Sequence, residues 1–182
     1  LARGLPQYAR HQVDGHWEAE ESDQAGMREI GGRTMLVVGL GGIGTEVARR
    51  AHGLGMRVIA TRNSSREGPE FVSKVGLPGE LLALAKEADV VVNATPLTPE
   101  TSGIFNAAFF AAMKPGGYFI NVGRGKSVIT DDLVAALQDG QLAGAGLDVF
   151  SSEPCTDSPL FEFESVVVTP HLGASTDEAQ EK

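Results

Sequence analysis

The sequence predicts an α/β fold, a doubly wound parallel sheet with helices on both faces, and two observations carry that expectation. From Thr34 onward, short apolar runs rich in valine and isoleucine alternate with amphipathic stretches. The first of these runs leads directly into a glycine-rich turn that opens a helix. Strands buried on both faces read as continuous apolar runs, and strands alternating with helices give a parallel sheet.

The elements follow in order. A helix is expected around residues 1–12, then an irregular arm containing Trp17 and closed by Gly26 and Gly31-Gly32. Strands are expected at Met35–Val38, Val58–Ala60, Val90–Asn93, Tyr118–Val122, Gly144–Asp148 and Val166–Thr169. Between them lie helical patterns at Ile43–Leu54, Glu80–Ala88, Asn106–Met113 and Asp131–Asp139. The expected organisation is an N-terminal helix and arm over 1–32 and one α/β domain over 33–182. No fixed-period repeat and no low-complexity tract interrupts it.

Composition bounds the function. A chain of 182 residues, 42% hydrophobic and 21% charged, suits one ordinary domain with a real core. No apolar run is long enough to cross a bilayer, so no membrane association is expected. A formal charge of −9 argues against nucleic acid as a bulk partner, because phosphate binding needs a positive field. The only cysteine is Cys155, so no internal disulfide can form, which fits a reducing cytoplasm. Nothing has metal-ligand spacing, and no metal is expected.

The stretch from Thr34 to Gly44 is a strand followed by G-x-G-x-x-G, with a helix opening inside it at Ile43. In this context the glycines have separate tasks. Gly39 allows the tight turn, Gly41 lets backbone approach a pyrophosphate, and Gly44 lets helix pack on strand. The helix N-terminus then offers free N–H groups and partial positive charge to phosphates. This is the Rossmann-type dinucleotide signature. The next strand ends in Thr61-Arg62-Asn63-Ser64-Ser65-Arg66. An NAD-selective site places Asp or Glu near this strand end, to hold the ribose 2′-hydroxyl. Here two arginines and serines stand instead, where a 2′-phosphate would lie. NADP is the expected preference, with NAD possible.

Three distal stretches add chemistry. They are Asn121-Val122-Gly123-Arg124-Gly125, Gly146-Leu147-Asp148 running to Glu153-Pro154, and Thr169-Pro170-His171-Leu172-Gly173. Together with the glycine turn and Asn93–Thr101, which contains Pro96, they resemble the D-isomer-specific 2-hydroxyacid dehydrogenase family over nearly the whole chain. That family includes glyoxylate/hydroxypyruvate reductases and phosphoglycerate dehydrogenase. The resemblance implies an oxidoreductase moving a hydride between NADP(H) and a small 2-keto or 2-hydroxy acid. It makes Arg124 the holder of the substrate's carboxylate, His171 the general acid/base and Glu153 its partner. It places Asp148 near the nicotinamide carboxamide and Pro96 on the cofactor cleft. The implied cofactor-binding positions are then Gly39, Gly41, Gly42, Ile43, Gly44, Thr61, Arg62, Ser64, Pro96, Val122, Gly123, Asp148 and Gly173.

The chemistry is sensible on its own terms. A keto-acid reduction needs a proton for the new hydroxyl, which a histidine can give. A neighbouring carboxylate favours the charged imidazolium. A planar guanidinium can bind a carboxylate bidentately. Taken singly, Arg124 would be a surface residue and Glu153-Pro154 a turn; the joint pattern argues otherwise. His11, His16 and His52 belong to no motif. Family members are usually longer, with a second domain built from both chain ends, so the substrate domain is expected to be largely absent here. A helix returning to it is at most begun at Thr176–Lys182, and this chain alone should turn over little. The resemblance also implies a homodimer through the arm Leu1–Ala25. A second reading is a nucleotide-responsive binding module of corepressor type, without turnover.

Overall fold

A computed structural model describes residues 1–17, 27–173 and 175. The middle of the expected arm and the expected C-terminal helix lie outside these described residues. The elements are α1 (Leu5–Val13), β1 (Thr34–Val38), α2 (Gly42–Gly53), β2 (Arg57–Thr61), β3 (Lys74–Gly76), α3 (Leu81–Ala85), β4 (Val90–Asn93), α4 (Ala107–Ala112), β5 (Gly117–Asn121), α5 (Thr130–Gln138), β6 (Leu142–Leu147) and β7 (Val166–Val168). The seven strands form one sheet in the order β3-β2-β1-β4-β5-β6-β7. Every pairing is parallel.

Alternation along each strand divides the interior in two. Leu36, Ile59, Val91 and Phe119 join one cluster with Leu84 of α3, Phe109 of α4 and Leu133 of α5. Their neighbours Val37, Val58, Val92 and Tyr118 join the other, with Ala48 and Ala51 of α2. Leu1, Ala2 and Ile30 cover that second face further along. Helices therefore lie on both faces, as a doubly wound sheet requires. The first cluster is anchored by aromatic side chains: Phe105 and Phe109 meet edge to face, with centroids 4.8 Å apart. Such pairs add about 0.5–1.5 kcal/mol beyond the area they bury.

Two details differ from expectation. A seventh strand, β3, pairs Lys74–Gly76 with Ile59–Thr61 at the sheet edge. The expected helix over Glu80–Ala88 is a 3-10 turn at Pro78–Glu80 followed by only five α-helical residues. Pro78 and Gly79 shape that turn, and Glu80 folds its carboxylate back onto the Leu77 N–H at 2.8 Å. α1 begins at Leu5, after Gly4 in the left-handed region, and buries none of its residues. Among the described residues, no helix is long and apolar enough to cross a membrane.

From β1 the chain steps outward to β2 and β3, then crosses back to lay β4 on the other side of β1. Open α/β sheets bind ligands at such a reversal, outside the carboxyl ends of the strands.

Candidate active site

The reversal holds a cleft of about 390 Å³, walled by Gly39, Thr61 and Arg62 on one side and Thr95, Pro96 and Ile104 on the other. Gly39 turns there with φ 95°. Its N–H and that of Leu40 both point at the Thr61 carbonyl, at 3.3 and 2.9 Å, which ties the turn to the end of β2. A Cβ at Gly44 would overlap the Gly39 carbonyl oxygen, so only glycine lets α2 close on β1 here. A Cβ at Gly41 or Gly42 would meet nothing within 4 Å. No side chain caps α2, and Ile43 beside them is exposed. Open space over uncapped helical N–H groups fits a pyrophosphate.

The end of β2 is not free of carboxylates. Arg62 donates to the Glu67 carbonyl at 3.0 Å, and Ser64 is exposed beside it. Arg66, however, pairs with Glu80 at 2.7 Å. The fold brings this acid in from the turn after β3, where the local sequence around Thr61 shows none. The Leu77 N–H foremost, and then Arg66, hold the Glu80 carboxyl below the ordinary range.

Beyond the cleft, β4 and β5 end in a pair of asparagines in register. Asn93 is fully buried; its amide donates to Asn121 at 2.9 Å and to the Ser127 hydroxyl at 2.8 Å, and its oxygen accepts from Thr95. Asn121 in turn accepts the Gly123 N–H at 3.0 Å, while its amide and the Ser127 hydroxyl both donate to the Arg124 carbonyl. Every polar arm of this network is satisfied, so it fixes the backbone of the Val122–Arg124 turn. Arg124 itself is exposed and folds its guanidinium onto the Gly123 carbonyl at 2.7 Å. The sequence reading passed over Asn93 and Ser127; the signal was a buried-strand pattern ending twice in asparagine.

β6 and β7 lead into the last cluster. His171 Nδ1 lies 2.7 Å from Glu153 Oε2, and Glu153 Oε1 accepts the Phe150 N–H at 2.8 Å. The His171 contact first, and then the Phe150 N–H, hold the Glu153 carboxyl below its usual value. An ionised carboxylate only accepts, so Nδ1 carries the hydrogen and Nε2 is left as the nitrogen that exchanges a proton. His171 stands in the left-handed region, with φ 55°. Asp148 holds it there. The Asp148 carbonyl accepts the His171 N–H, and its carboxylate accepts the Thr169 hydroxyl at 2.6 Å, the Leu172 N–H at 2.8 Å and the Gly173 N–H at 2.9 Å. Gly125 packs directly on the Phe150 backbone, leaving no room for a Cβ, so the Arg124 turn and the Phe150–Glu153 loop abut. A largely apolar hollow of about 180 Å³ opens onto the pair, lined by Glu153 and His171 together with Phe150, Cys155, Phe161 and Val168. Sequence reasoning had not singled out this hollow.

The structure thus gathers Asp148, Glu153, His171 and Gly173 in one hydrogen-bonded cluster. It sets Arg124 on the adjoining turn and makes no hydrogen bond between the Arg124 guanidinium and that cluster. Gly39, Thr61, Arg62 and Pro96 line the cleft, and Gly41, Gly42, Ile43 and Gly44 follow Gly39 into the start of α2.

The model of the D-isomer-specific 2-hydroxyacid dehydrogenase NAD-binding domain matches residues 1–173. The chain belongs to this family. Among relatives of the dehydrogenase domain, a glyoxylate reductase of Thermococcus onnurineus is 44% identical over 154 residues, 84% of this chain and 46% of that protein. A D-3-phosphoglycerate dehydrogenase of Mycobacterium leprae is 46% identical over 157 residues, 85% of this chain and 29% of that protein. A solved NADPH-dependent glyoxylate/hydroxypyruvate reductase of Sinorhizobium meliloti, in complex with NADP and sulfate, superposes with a TM-score of 0.84 at 33% identity, covering 99% of this chain and 57% of that one. The chain therefore spans between about a third and just over half of the length of these relatives.

Proposed function

We propose that this chain is the cofactor half of an NADP-linked reductase of small 2-keto acids, of the glyoxylate or hydroxypyruvate class. The observation that carries the reading is the 2.7 Å His171–Glu153 pair, set beyond the carboxyl ends of the strands, as the glycine turn is. A nicotinamide dinucleotide, when bound, supplies hydride to the keto carbon or accepts it from the hydroxy carbon. The uncapped start of α2 at Gly41–Gly44 would hold its phosphates. Thr61, Arg62 and Ser64 would meet its adenosine ribose, Pro96 would line its cleft, and Val122, Gly123, Asp148 and Gly173 would face its far end.

The remaining chemistry falls to the chain's own groups. His171 Nε2 gives a proton to the carbonyl oxygen as the C–O double bond becomes a hydroxyl, and takes one back in the reverse direction. Glu153 keeps a hydrogen on Nδ1 and orients the ring so that Nε2 faces the reacting oxygen. Arg124 swings from its own backbone to grip the substrate carboxylate through two N–H groups. NADPH consumption by the protein carrying this chain, with glyoxylate and with hydroxypyruvate, tests the reading. His171→Ala should lower turnover by about 10²–10⁴-fold. NADPH binding without turnover of any 2-keto acid would overturn it and leave a nucleotide-binding module.

NADP preference is supported by Arg62, which no carboxylate pairs among the described residues. Cofactor titrations should show NADPH binding more tightly than NADH, with the order reversed in Arg62→Asp; equal affinities refute it. A second copy of the chain is the proposed partner, met through α1 and the arm, where Leu5, Val13 and Trp17 are 70%, 86% and 97% exposed. The lone Cys155 suits a cytoplasmic setting.

A further inference from the structure

The two arginines beyond β2 differ in what they are free to do. Arg62 is half-buried in the cleft wall and gives one N–H to a carbonyl. Arg66 is exposed and is engaged by a full charge, the Glu80 carboxylate at 2.7 Å. Glu80 is not a loose surface acid. The oxygen that meets Arg66 also accepts the Leu77 N–H at 2.8 Å, which fixes the carboxylate against the Pro78–Glu80 turn. The residues on either side of that turn's tip, Pro78 and Leu81, line the same cleft as Thr61 and Arg62. A backbone-anchored anion therefore stands at the rim of the cleft, beside the place assigned to the ribose 2′-phosphate.

We infer that Glu80 is a positioning residue that sets cofactor specificity through Arg66. It holds the Arg66 guanidinium toward the turn, so a 2′-phosphate reaches that guanidinium only by displacing Glu80 or by sharing it with a second anion. Arg62 meets the phosphate with no ion-pair partner of its own among the described residues; Arg66 binds it against a resident competitor. The discrimination between NADP(H) and NAD(H) is thereby held below what two free arginines would give. The inference rests on the reading that the Thr61–Arg66 segment receives the 2′-phosphate. Exposed ion pairs of this kind are weak, which bounds the effect at about two- to fivefold in affinity.

The test uses two fragments that differ only in the group concerned, adenosine 2′,5′-bisphosphate and adenosine 5′-monophosphate, titrated calorimetrically into the chain. Glu80→Gln keeps an oxygen for the Leu77 N–H while removing the charge. It should raise the ratio of the two affinities about two- to fivefold, through tighter bisphosphate binding, with the monophosphate unchanged. In an Arg66→Ala background the same substitution should leave the ratio where it was. Glu80→Asp, which withdraws the carboxylate from Arg66 by one methylene, should move the ratio in the same direction and serves if the glutamine variant fails to fold. A ratio that does not move in Glu80→Gln overturns the inference. So does an equal rise with Arg66 absent, since Glu80 would then repel the phosphate directly. Failure of the underlying reading looks different: the wild-type chain would bind both fragments equally and Arg62→Ala would change nothing.

Discussion

Asp148 commits both carboxylate oxygens to the turn that carries His171. A non-glycine residue with positive φ costs of order 1–3 kcal/mol and persists only where its surroundings impose it. Here three donors converge on one carboxylate. Burial alone would push the Asp148 carboxyl up; the Thr169 hydroxyl and the Leu172 and Gly173 N–H groups outweigh that and hold it below the usual range. A depressed folded value means that the stabilisation is present above the unfolded pKa, about 3.9, and is lost as pH falls through the lower folded value. Asp148→Asn keeps one acceptor and turns an N–H group toward a donor. It should lower stability by about 1–3 kcal/mol at pH 7. Denaturant titrations of the two proteins should converge as pH falls from the unfolded value, about 3.9, through the lower folded one. A constant gap across pH would show that the carboxylate's charge is irrelevant to the turn. The sequence singled out His171 and Glu153 through short motifs, and the structure brings the two side chains together. It could not show that Asp148 positions His171, because that depends on how β6 and β7 deliver their loops to one point.

At the scale of elements, the glycine turn offers a clean separation between folding and binding. Gly44→Ala forces a Cβ into the Gly39 carbonyl, whereas Gly42→Ala adds one to open space. The first should cost about 1–3 kcal/mol by pushing α2 off β1, seen as a lower thermal midpoint. The second should leave the midpoint in place and weaken nucleotide binding, because the added methyl stands where a phosphate must approach. Similar midpoints for both variants would contradict the packing account. Six strands were legible as apolar runs; five of them are largely buried, and β7 is three half-buried valines at the sheet edge. β3 was not legible: it has three residues, one of them the exposed Lys74, and it exists through its pairing with β2. The same shortness hid Glu80, whose distance from Arg66 along the chain is closed only when β3 folds back beside β2. The asparagine pair was legible only as two strand ends; the network joining them needed the β4–β5 register.

The whole molecule presents two unequal surfaces. Its sheet is covered on both faces, yet α1 contributes no buried residue and ends near the bare Trp17. Tryptophan gains most where it can be desolvated against another surface. Light scattering should find a dimer at micromolar concentration, and Trp17→Ala should shift it toward monomer; a monomeric wild-type chain would refute the pairing. The sheet has another consequence, for how the molecule comes apart. Only one junction, β1 against β4, joins strands that are not consecutive in the chain. It is a seam between β1–β3 and β4–β7, and the cleft takes residues from both sides of it. A dinucleotide lying across the seam acts as a clasp. At a hundredfold excess over its dissociation constant it opposes opening by about 2.7 kcal/mol. Hydrogen exchange at Leu36–Val38 and Val91–Asn93 should slow by about that hundredfold when nucleotide saturates the chain. Amides of β6 and β7, which lie on one side of the seam, should slow less. Uniform slowing across the sheet would mean that the two sides never part separately, and that the molecule opens only as a whole.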